Sequence, residues 1–259
     1  MKYLSNIYWY IEIVFFKASL NLKSEISRNT FAYIWWILEP LLYLLVFYLV
    51  FGMLLQRGGP DYVTFLLVGL TIFMWFSKSI SACASSIISH NNLINSILVP
   101  YEIFPMITVT QVTLKQSFSF VAMFIILYVL EIRANIGWMN IISLVILQYI
   151  ILLDLAFIVS LMVVYLRDIK FIIPSFLTLL MFGSGIFYDY KLIDQNYHFI
   201  FELNPLSYLV TGYRDIILHG TQLNSSILML WYVASIVFFV LSIIVYKIVS
   251  SRIPLKVSK

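Results

Sequence analysis

Long apolar runs, separated by short polar or charged stretches, dominate the pattern of this chain. An α-helix needs roughly 20 apolar residues to cross a bilayer core about 30 Å thick. Runs that reach or approach that length occupy residues 34–55, 62–82, 106–130, 138–165, 171–188 and 226–248. The pattern predicts an all-α polytopic membrane protein with six transmembrane helices, five within 34–188 and one at 226–248. Without an internal repeat, residues 1–259 are expected to form a single transmembrane domain.

The first thirty residues have an amphipathic pattern instead. Apolar side chains recur at helical spacing from Tyr3 through Ile11 to Leu22, and charged side chains fall mostly between them. With the aromatic cluster at 8–10, this pattern is typical of a helix that lies in the membrane interface. We therefore predict an interfacial helix over 1–30, and a plain anchor with no other role is the alternative.

Residues 189–224, between the fifth and sixth spans, contain a second amphipathic pattern. Asn204 is suited to an N-cap, Pro205 to the first helical position, and Gly220 to a helix stop. The spacing predicts an outer amphipathic or re-entrant helix whose polar face carries Ser207, Thr211 and Arg214. Such a helix could line or close an exit, or it could be a lid on lipid headgroups. The candidate outer-gate residues are Asn204, Pro205, Tyr213 and Arg214.

Basic residues indicate the orientation, because they accumulate on the cytoplasmic side of membrane proteins. With the N-terminus inside, twelve Lys and Arg residues fall on the inner side. Four fall on the outer side, namely Arg57, Arg133, Lys191 and Arg214. Both termini, including the tail 249–259, are therefore predicted to be cytoplasmic. The excess of positive charge then needs no nucleic-acid partner.

Composition supports a membrane protein and argues against metal or disulfide chemistry. Hydrophobic residues make up 62% of the chain and charged residues 11%, against about 25% charged residues in soluble domains. Cys83 is the one cysteine, which excludes an internal disulfide framework. The three histidines lie far apart in the sequence, without the spacing of metal ligands. No cofactor is predicted in this chain.

Two inner-side segments are candidates for contact with a soluble partner. In residues 85–102, Asn91 or Asn92 can cap a short helix that Pro100 ends, and its exposed apolar residues suit docking. Packing on the chain itself is the alternative. The second segment is the charged turn between the fourth and fifth spans. The candidate docking residues are Asn92, Leu93, Ile94, Ile97, Leu98, Tyr101, Glu102, Arg167 and Asp168.

Asp154 is the ionisable residue deepest within a predicted span. A charge near the bilayer centre costs at least about 2.5 kcal/mol on insertion scales, so Asp154 should face protein or water. Lys115 of the third span is the predicted partner, and direct contact with a transported molecule is the alternative. Glu39 and Lys78 lie near inner ends, where water can solvate them.

Three stretches together resemble a known family. They are "FAYIWWILEPLLYLLVFYLVFG" (31–52), "YLRDIKFIIPSF" (165–176) and "NPLSYLVTGYRDIILHG" (204–220). The chain resembles the type-2 ABC exporter permeases for lipid-linked polysaccharides, of the O-antigen (Wzm-like) and capsule (KpsM-like) kinds. The residues that match the family pattern are Trp35 and Pro40, Arg167 and Asp168, and Asn204 and Pro205.

The resemblance implies a homodimer in the bacterial inner membrane, with the cargo path between the two copies. It also implies a coupling helix between the second and third spans and outer re-entrant helices. The chain contains no G-x-x-x-x-G-K-[ST] stretch, so it is expected to be a permease without its own ATPase site. The implied partners are two copies of a cytoplasmic P-loop ATPase, which would bind ATP and Mg²⁺. These subunits are expected to contact residues 92–102.

Aromatic residues, 17% of the chain, suit a path for a sugar polymer. Sugar rings present C–H faces that can stack on aromatic faces, although many of these rings are expected in interface belts or in the core. The candidate path residues are Trp35, Trp36, Tyr43, Tyr188 and Tyr190.

Two other function classes remain open. One is an ion-coupled secondary transporter of a lipid or glycan, which would favour more intramembrane carboxylates and an internal repeat. The other is a membrane-embedded enzyme that acts on lipid-linked sugars, which would need a convergent acid/base or metal cluster.

Overall fold

The computed structural model describes residues 2–29, 31–56, 59, 61–90 and 100–249. Within these ranges the regular secondary structure is helical throughout. The helices are α1 Lys2–Arg28, α2 Ala32–Phe47, α3 Tyr62–Cys83, α4 Ile103–Val129, α5 Asn140–Tyr165, α6 Ile169–Gly183, α7 His198–Glu202, α8 Pro205–Ile217 and α9 Ser225–Val249. A π-helical stretch, Tyr48–Leu54, continues α2, and a 3₁₀ turn, Ile136–Met139, precedes α5.

The prediction of a polytopic all-α protein is confirmed. In the described part of the chain, five helical segments are long and apolar enough to span a membrane. They are Tyr33–Leu54, Tyr62–Cys83, Ile103–Val129, Ile136–Tyr165 and Ser225–Val249. Their ends lie within three residues of the predicted ends, because each run is closed by charged or turn residues that apolar lipid would reject.

The fifth predicted span, 171–188, is shorter than expected. It corresponds to α6, which has 15 residues and ends at Gly183. A helix of that length covers about 22 Å, less than a bilayer core about 30 Å thick. The chain turns away after Gly183, and Gly185 adopts a φ of 69°, a left-handed conformation that side chains disfavour. Residues 184–188 therefore form a turn, the outer turn, instead of a final helical turn.

The central helix of the fold is α3, which packs against α2, α4, α5, α6 and α8. Its apolar residues are almost fully buried, with Leu66 and Ile72 at 0% exposure. Two amide side chains fix neighbouring helices to it. Gln116 Nε2 of α4 donates to the Thr71 carbonyl oxygen at 3.0 Å, and Gln148 Nε2 of α5 donates to that of Ile72 at 3.2 Å. These bonds satisfy polar groups away from water and fix the depth of α4 and α5 against α3.

The N-terminal helix α1 lies along the first turns of α4. Val14 and Ala18 are buried against Ile103 and Ile107. The other face of α1 keeps large apolar side chains exposed, including Phe16. The predicted amphipathic helix is therefore present, and its place in the membrane interface stays a prediction.

Candidate functional site

The outer-gate segment, residues 189–224, begins its main helix as the sequence predicts. Asn204 is the N-cap of α8, and its side-chain oxygen accepts a hydrogen bond from the Leu206 N–H at 3.0 Å. Pro205 occupies the first turn, where a missing N–H costs nothing. The predicted N-cap and helix start are confirmed.

Asn204 also connects α8 to the end of α6. Its amide nitrogen donates to Ser184 Oγ at 2.9 Å and lies 3.5 Å from the Gly183 carbonyl oxygen. One side chain therefore caps α8 with its oxygen and holds the outer turn with its nitrogen. The position of the outer-gate segment relative to α6 depends on this residue.

Arg214 of α8 reaches into the protein and fixes the outer turn. Its Nε donates to the Phe65 carbonyl oxygen at 3.1 Å. Nη1 donates to the carbonyl oxygen of Gly185 and Nη2 to that of Ile186, both at 2.7 Å. The guanidinium carbon also lies 3.4 Å from the centroid of the Phe65 ring, a cation–π contact. Arg214 thereby links α8, α3 and the outer turn.

Arg214 lies on the polar face of α8 as predicted, but protein buries that face. Arg214 is 5% exposed and Ser207 1%, and Tyr213 on the apolar face is fully buried. Helical periodicity separates polar from apolar positions, but it does not show whether water or protein meets the polar face. Here protein meets it, so α8 is embedded in the helical bundle and is not a lid lying on headgroups.

Gly69 of α3 provides the space that Arg214 occupies. A Cβ atom at this position would lie 2.3 Å from Arg214 Nη2 and 3.2 Å from its guanidinium carbon. Neither distance leaves room for a methyl group while the guanidinium keeps its three bonds. We did not identify Gly69 from the sequence. The available signal was a lone glycine among bulky residues in "FLLVGLTIF" (65–73).

Aromatic residues surround the outer turn. Tyr62 donates through its hydroxyl to the Phe187 carbonyl oxygen at 3.0 Å, and Tyr188 to that of Phe182 at 2.6 Å. The Tyr190 ring stacks on Phe201, with centroids 5.3 Å apart. Burial raises the pKa of the Tyr190 phenol, and the nearby carboxylates of Glu202, Asp189 and Asp215 raise it further.

An outer cavity of about 790 Å³ opens beside this turn. Its walls include Phe51, Tyr62, Phe65 and Tyr188, with the carboxylates of Asp61 and Asp189 at its edge. Tyr188 lines this cavity, and Tyr190 lines a smaller one next to Arg214. The role of both residues in a cargo path stays a prediction.

The path candidates in the first span do not share one face. Trp35 and Tyr43 are 55% and 45% exposed. Trp36 is 7% exposed and packs against Phe118 of α4 and Tyr33. Trp35 and Tyr43 remain candidates for a path between two copies, and Trp36 lies inside a single chain instead.

The predicted ion pair between Lys115 and Asp154 is wrong. Lys115 pairs with Glu25 of α1, and Glu25 also accepts a hydrogen bond from Gln111 Nε2 at 3.2 Å. The prediction matched the two residues by their depth in the membrane. The sequence pattern does not show that α1 packs beside α4. Asp154 is 6% exposed, and in the described part of the chain its Oδ1 has no hydrogen-bond partner.

Glu39 of α2 and Lys78 of α3 form an ion pair with an N–O distance of 2.7 Å. Their positions near the inner ends of the predicted spans predict solvation by water. Each side chain keeps about a third of its surface exposed, so the pair is solvated in part.

The candidate docking residues are described only in part. Asn92, Leu93, Ile94, Ile97 and Leu98 lie outside the described residues. Tyr101 and Glu102 are half-buried, and Tyr101 packs against a buried cluster that contains Phe157 and Tyr246. Arg167 and Asp168 form the predicted tight turn before α6, with both side chains exposed.

Comparison with known proteins agrees with this architecture. The model of the family described as "ABC-2 type transporter" matches residues 19–218. The chain is 22% identical to the O-antigen export system permease protein RfbA of Klebsiella pneumoniae over 95% of both chains. It is 25% identical to the protein of that name from Myxococcus xanthus, over 83% of this chain and 84% of the relative. It is 27% identical to the polysialic acid transport protein KpsM of Escherichia coli, over 77% and 79%.

The family match covers most of the chain, from the middle of α1 to the end of α8. It includes the five central helices and the outer-gate helix with Asn204 and Arg214. The chain belongs to the ABC-2 type transporter family.

Proposed function

We propose that this chain is the transmembrane subunit of an ATP-driven exporter that moves a lipid-linked polysaccharide across the bacterial inner membrane. The observation that carries this proposal is the similarity to two O-antigen export permeases of Klebsiella pneumoniae, each across 95% of both chains. A further relative, KpsM, is named for the transport of polysialic acid. O-antigen and capsule are therefore the cargo classes that we propose.

The cargo path is proposed to lie between two copies of the chain. Exposed aromatic residues on α2, Trp35 and Tyr43, and a row of exposed apolar residues on α6 support this proposal. The α6 row consists of Phe171, Ile172, Phe176, Leu179 and Phe182. Such faces need lipid or a second subunit to cover them.

The motor is proposed to be a pair of separate cytoplasmic ATPase subunits. Membership of the ABC-2 family implies partnership with an ABC ATPase, and the chain contains no Walker A motif. We propose residues 92–102 as the docking segment, together with Arg167 and Asp168. The exposure of the Arg167–Asp168 turn supports a role in contact with a partner.

The exporter proposal predicts that export needs both this chain and a P-loop ATPase. Cells that lack either gene should lose the surface polysaccharide and retain lipid-linked polymer inside, as measured by glycan immunoblotting of intact and lysed cells.

Leu93→Asp should insert normally, yet it should fail to co-purify the ATPase, because a charge would be desolvated in an apolar contact. Leu192→Asp, the same change at an exposed outer residue, is the control. Normal export without the ATPase would instead favour an ion-coupled transporter.

The orientation is proposed from the distribution of basic residues, with both termini in the cytoplasm. In a Cys83→Ser background, Arg133→Cys and Lys191→Cys should react with an impermeant thiol reagent added to intact cells. Lys170→Cys, in the exposed first turn of α6, should react only after the cells are lysed. Labelling of position 170 from outside would reverse the topology.

Asn204→Ala should impair export while leaving the chain inserted in the membrane. The loss of an N-cap costs about 0.5–2 kcal/mol, and here the contact with Ser184 is lost as well. Surface polysaccharide should fall by at least about threefold at equal protein level. Asn204→Asp keeps the cap acceptor and removes only the amide donors, so it should lie between wild type and Asn204→Ala. Wild-type export by Asn204→Ala would show that export does not depend on the N-cap of the outer-gate helix or on its contact with Ser184.

A further inference from the structure

A cavity of about 280 Å³ between α2, α3 and α4 is lined by two lysine side chains. Lys78 and Ser81 come from α3, and Lys115, Gln116 and Ser119 come from α4. We name it the two-lysine cavity. The exporter proposal assigns no role to it, and Asp154, the acidic residue deepest in a span, does not line it.

Two ammonium groups line the cavity, and no carboxylate is among its lining residues. Glu39 pairs with Lys78 and Glu25 with Lys115, but neither glutamate is among the lining residues. An ammonium group has three N–H donors, and one carboxylate contact uses only part of them. Donors from both lysines therefore remain for a group inside the cavity, and an anion with several acceptor oxygens suits them.

A neighbouring cavity gives the site a second compartment. This second cavity, about 380 Å³, lies between α2, α3 and α6, and Lys78 and Ser81 line both cavities. Its other walls include the apolar side chains of Leu70, Phe73 and Met181, and also Glu39, the ion-pair partner of Lys78. A ligand with an anionic head at the lysines and an apolar chain along these apolar side chains would match the two compartments.

The depth of Lys78, at one end of the cavity, fits a lipid headgroup. Lys78 lies five residues before the end of α3 at Cys83, about 8 Å along the helix axis. The basic-residue distribution places that end on the cytoplasmic side. Basic pockets between transmembrane helices on this side bind phosphate-bearing headgroups. Trp36 adds a ring 5.7 Å from the Lys115 ammonium, and tryptophan is enriched at this level of the bilayer.

We propose that the two-lysine cavity binds the phosphate group of an inner-leaflet lipid. The shared chemistry is a phosphate or diphosphate ester on an apolar chain. Its source is either a bulk anionic phospholipid or the lipid carrier of a transported polymer. Lys78 and Lys115 hold the phosphate oxygens, and the second cavity receives the start of the chain along Leu70, Phe73 and Met181.

The test is equilibrium lipid binding to the full-length chain purified in detergent, measured by native mass spectrometry. The probes are phosphatidylglycerol, farnesyl diphosphate and zwitterionic phosphatidylcholine. Lys78→Met/Lys115→Met should weaken binding of both anionic probes by about tenfold or more, since each lysine near a lipid surface contributes about 1 kcal/mol. Lys23→Met/Lys170→Met removes two exposed lysines of the predicted inner side and should change binding less than twofold.

Ser81→Phe fills the space between the cavities while both lysines remain, and it should also weaken anionic binding. This variant keeps the proposal testable if removal of the lysines unfolds the chain by leaving Glu25 and Glu39 unpaired. Tighter binding of farnesyl diphosphate would identify the carrier as the source, and tighter binding of phosphatidylglycerol a bulk phospholipid.

Unchanged anionic binding in both Lys78→Met/Lys115→Met and Ser81→Phe would overturn the proposal, as would equal affinity for phosphatidylcholine and phosphatidylglycerol. The measurement needs no ATPase and no transport, so its failure would leave the exporter proposal intact.

Discussion

Arg214→Ala should destabilise the purified protein by at least about 3 kcal/mol and abolish export. The substitution removes three hydrogen bonds from a charged donor and leaves the carbonyl oxygens of Phe65, Gly185 and Ile186 without it. Each buried polar group left unsatisfied costs about 1–3 kcal/mol. Thermal unfolding in detergent measures the loss of stability, and surface polysaccharide measures export.

Arg133→Ala is the matched control for Arg214→Ala. Arg133 is an exposed arginine on the same predicted side of the membrane, so its loss should change stability by no more than about 0.5 kcal/mol. Arg214→Lys keeps the charge but loses the planar fork of donors, and it should fall between wild type and Arg214→Ala. Equal unfolding temperatures for Arg214→Ala and Arg133→Ala would contradict the anchoring role.

Gly69→Ala should have the second-largest effect, a loss of about 2 kcal/mol or more from the addition of one methyl group. The new Cβ would stand 2.3 Å from Arg214 Nη2, so the guanidinium must move and give up part of its hydrogen bonding. Overpacking of this kind typically costs about 1–3 kcal/mol. The measurement is the same thermal unfolding experiment.

Gly183→Ala is the control for this change. Nothing lies within 4 Å of a Cβ built at Gly183, so alanine there should be neutral or slightly stabilising. The double variant Gly69→Ala/Arg214→Ala should lose less stability than the sum of its single changes, because both act on the same contact. Strict additivity would show that Gly69 and Arg214 act independently.

Hydropathy predicted the long helices well because lipid imposes a length on each span, and the end residues of that length are charged or turn-forming. Local chemistry predicted the start of α8 equally well, since Asn204 caps a helix that begins next to it. Both signals depend on neighbours in the sequence. They can therefore be recognised without knowledge of the tertiary structure.

The partners of Arg214 and Lys115 could not be predicted because they lie far away in the sequence. Arg214 binds carbonyl groups 28, 29 and 149 residues away. The acceptors are backbone atoms, which leave no trace in residue identity. Depth in the membrane predicted Asp154 as the partner of Lys115, but the partner is Glu25 of α1. Apolar contacts around Ala18 set the register of α1 against α4.

The hydrogen bonds from Arg214 to the outer turn matter particularly for a protein that lies in a membrane. A backbone that stops being helical inside a bilayer has carbonyl groups that neither lipid nor the next helical turn can satisfy. The carbonyl oxygens of Gly185 and Ile186 are two such groups, and the guanidinium supplies donors to both. If α6 continued through the outer turn, the backbone N–H groups four residues further along would donate to these two carbonyl oxygens. The guanidinium of Arg214 supplies those donors instead. A side chain of α8 thereby completes the hydrogen bonding of the turn that follows the short helix α6.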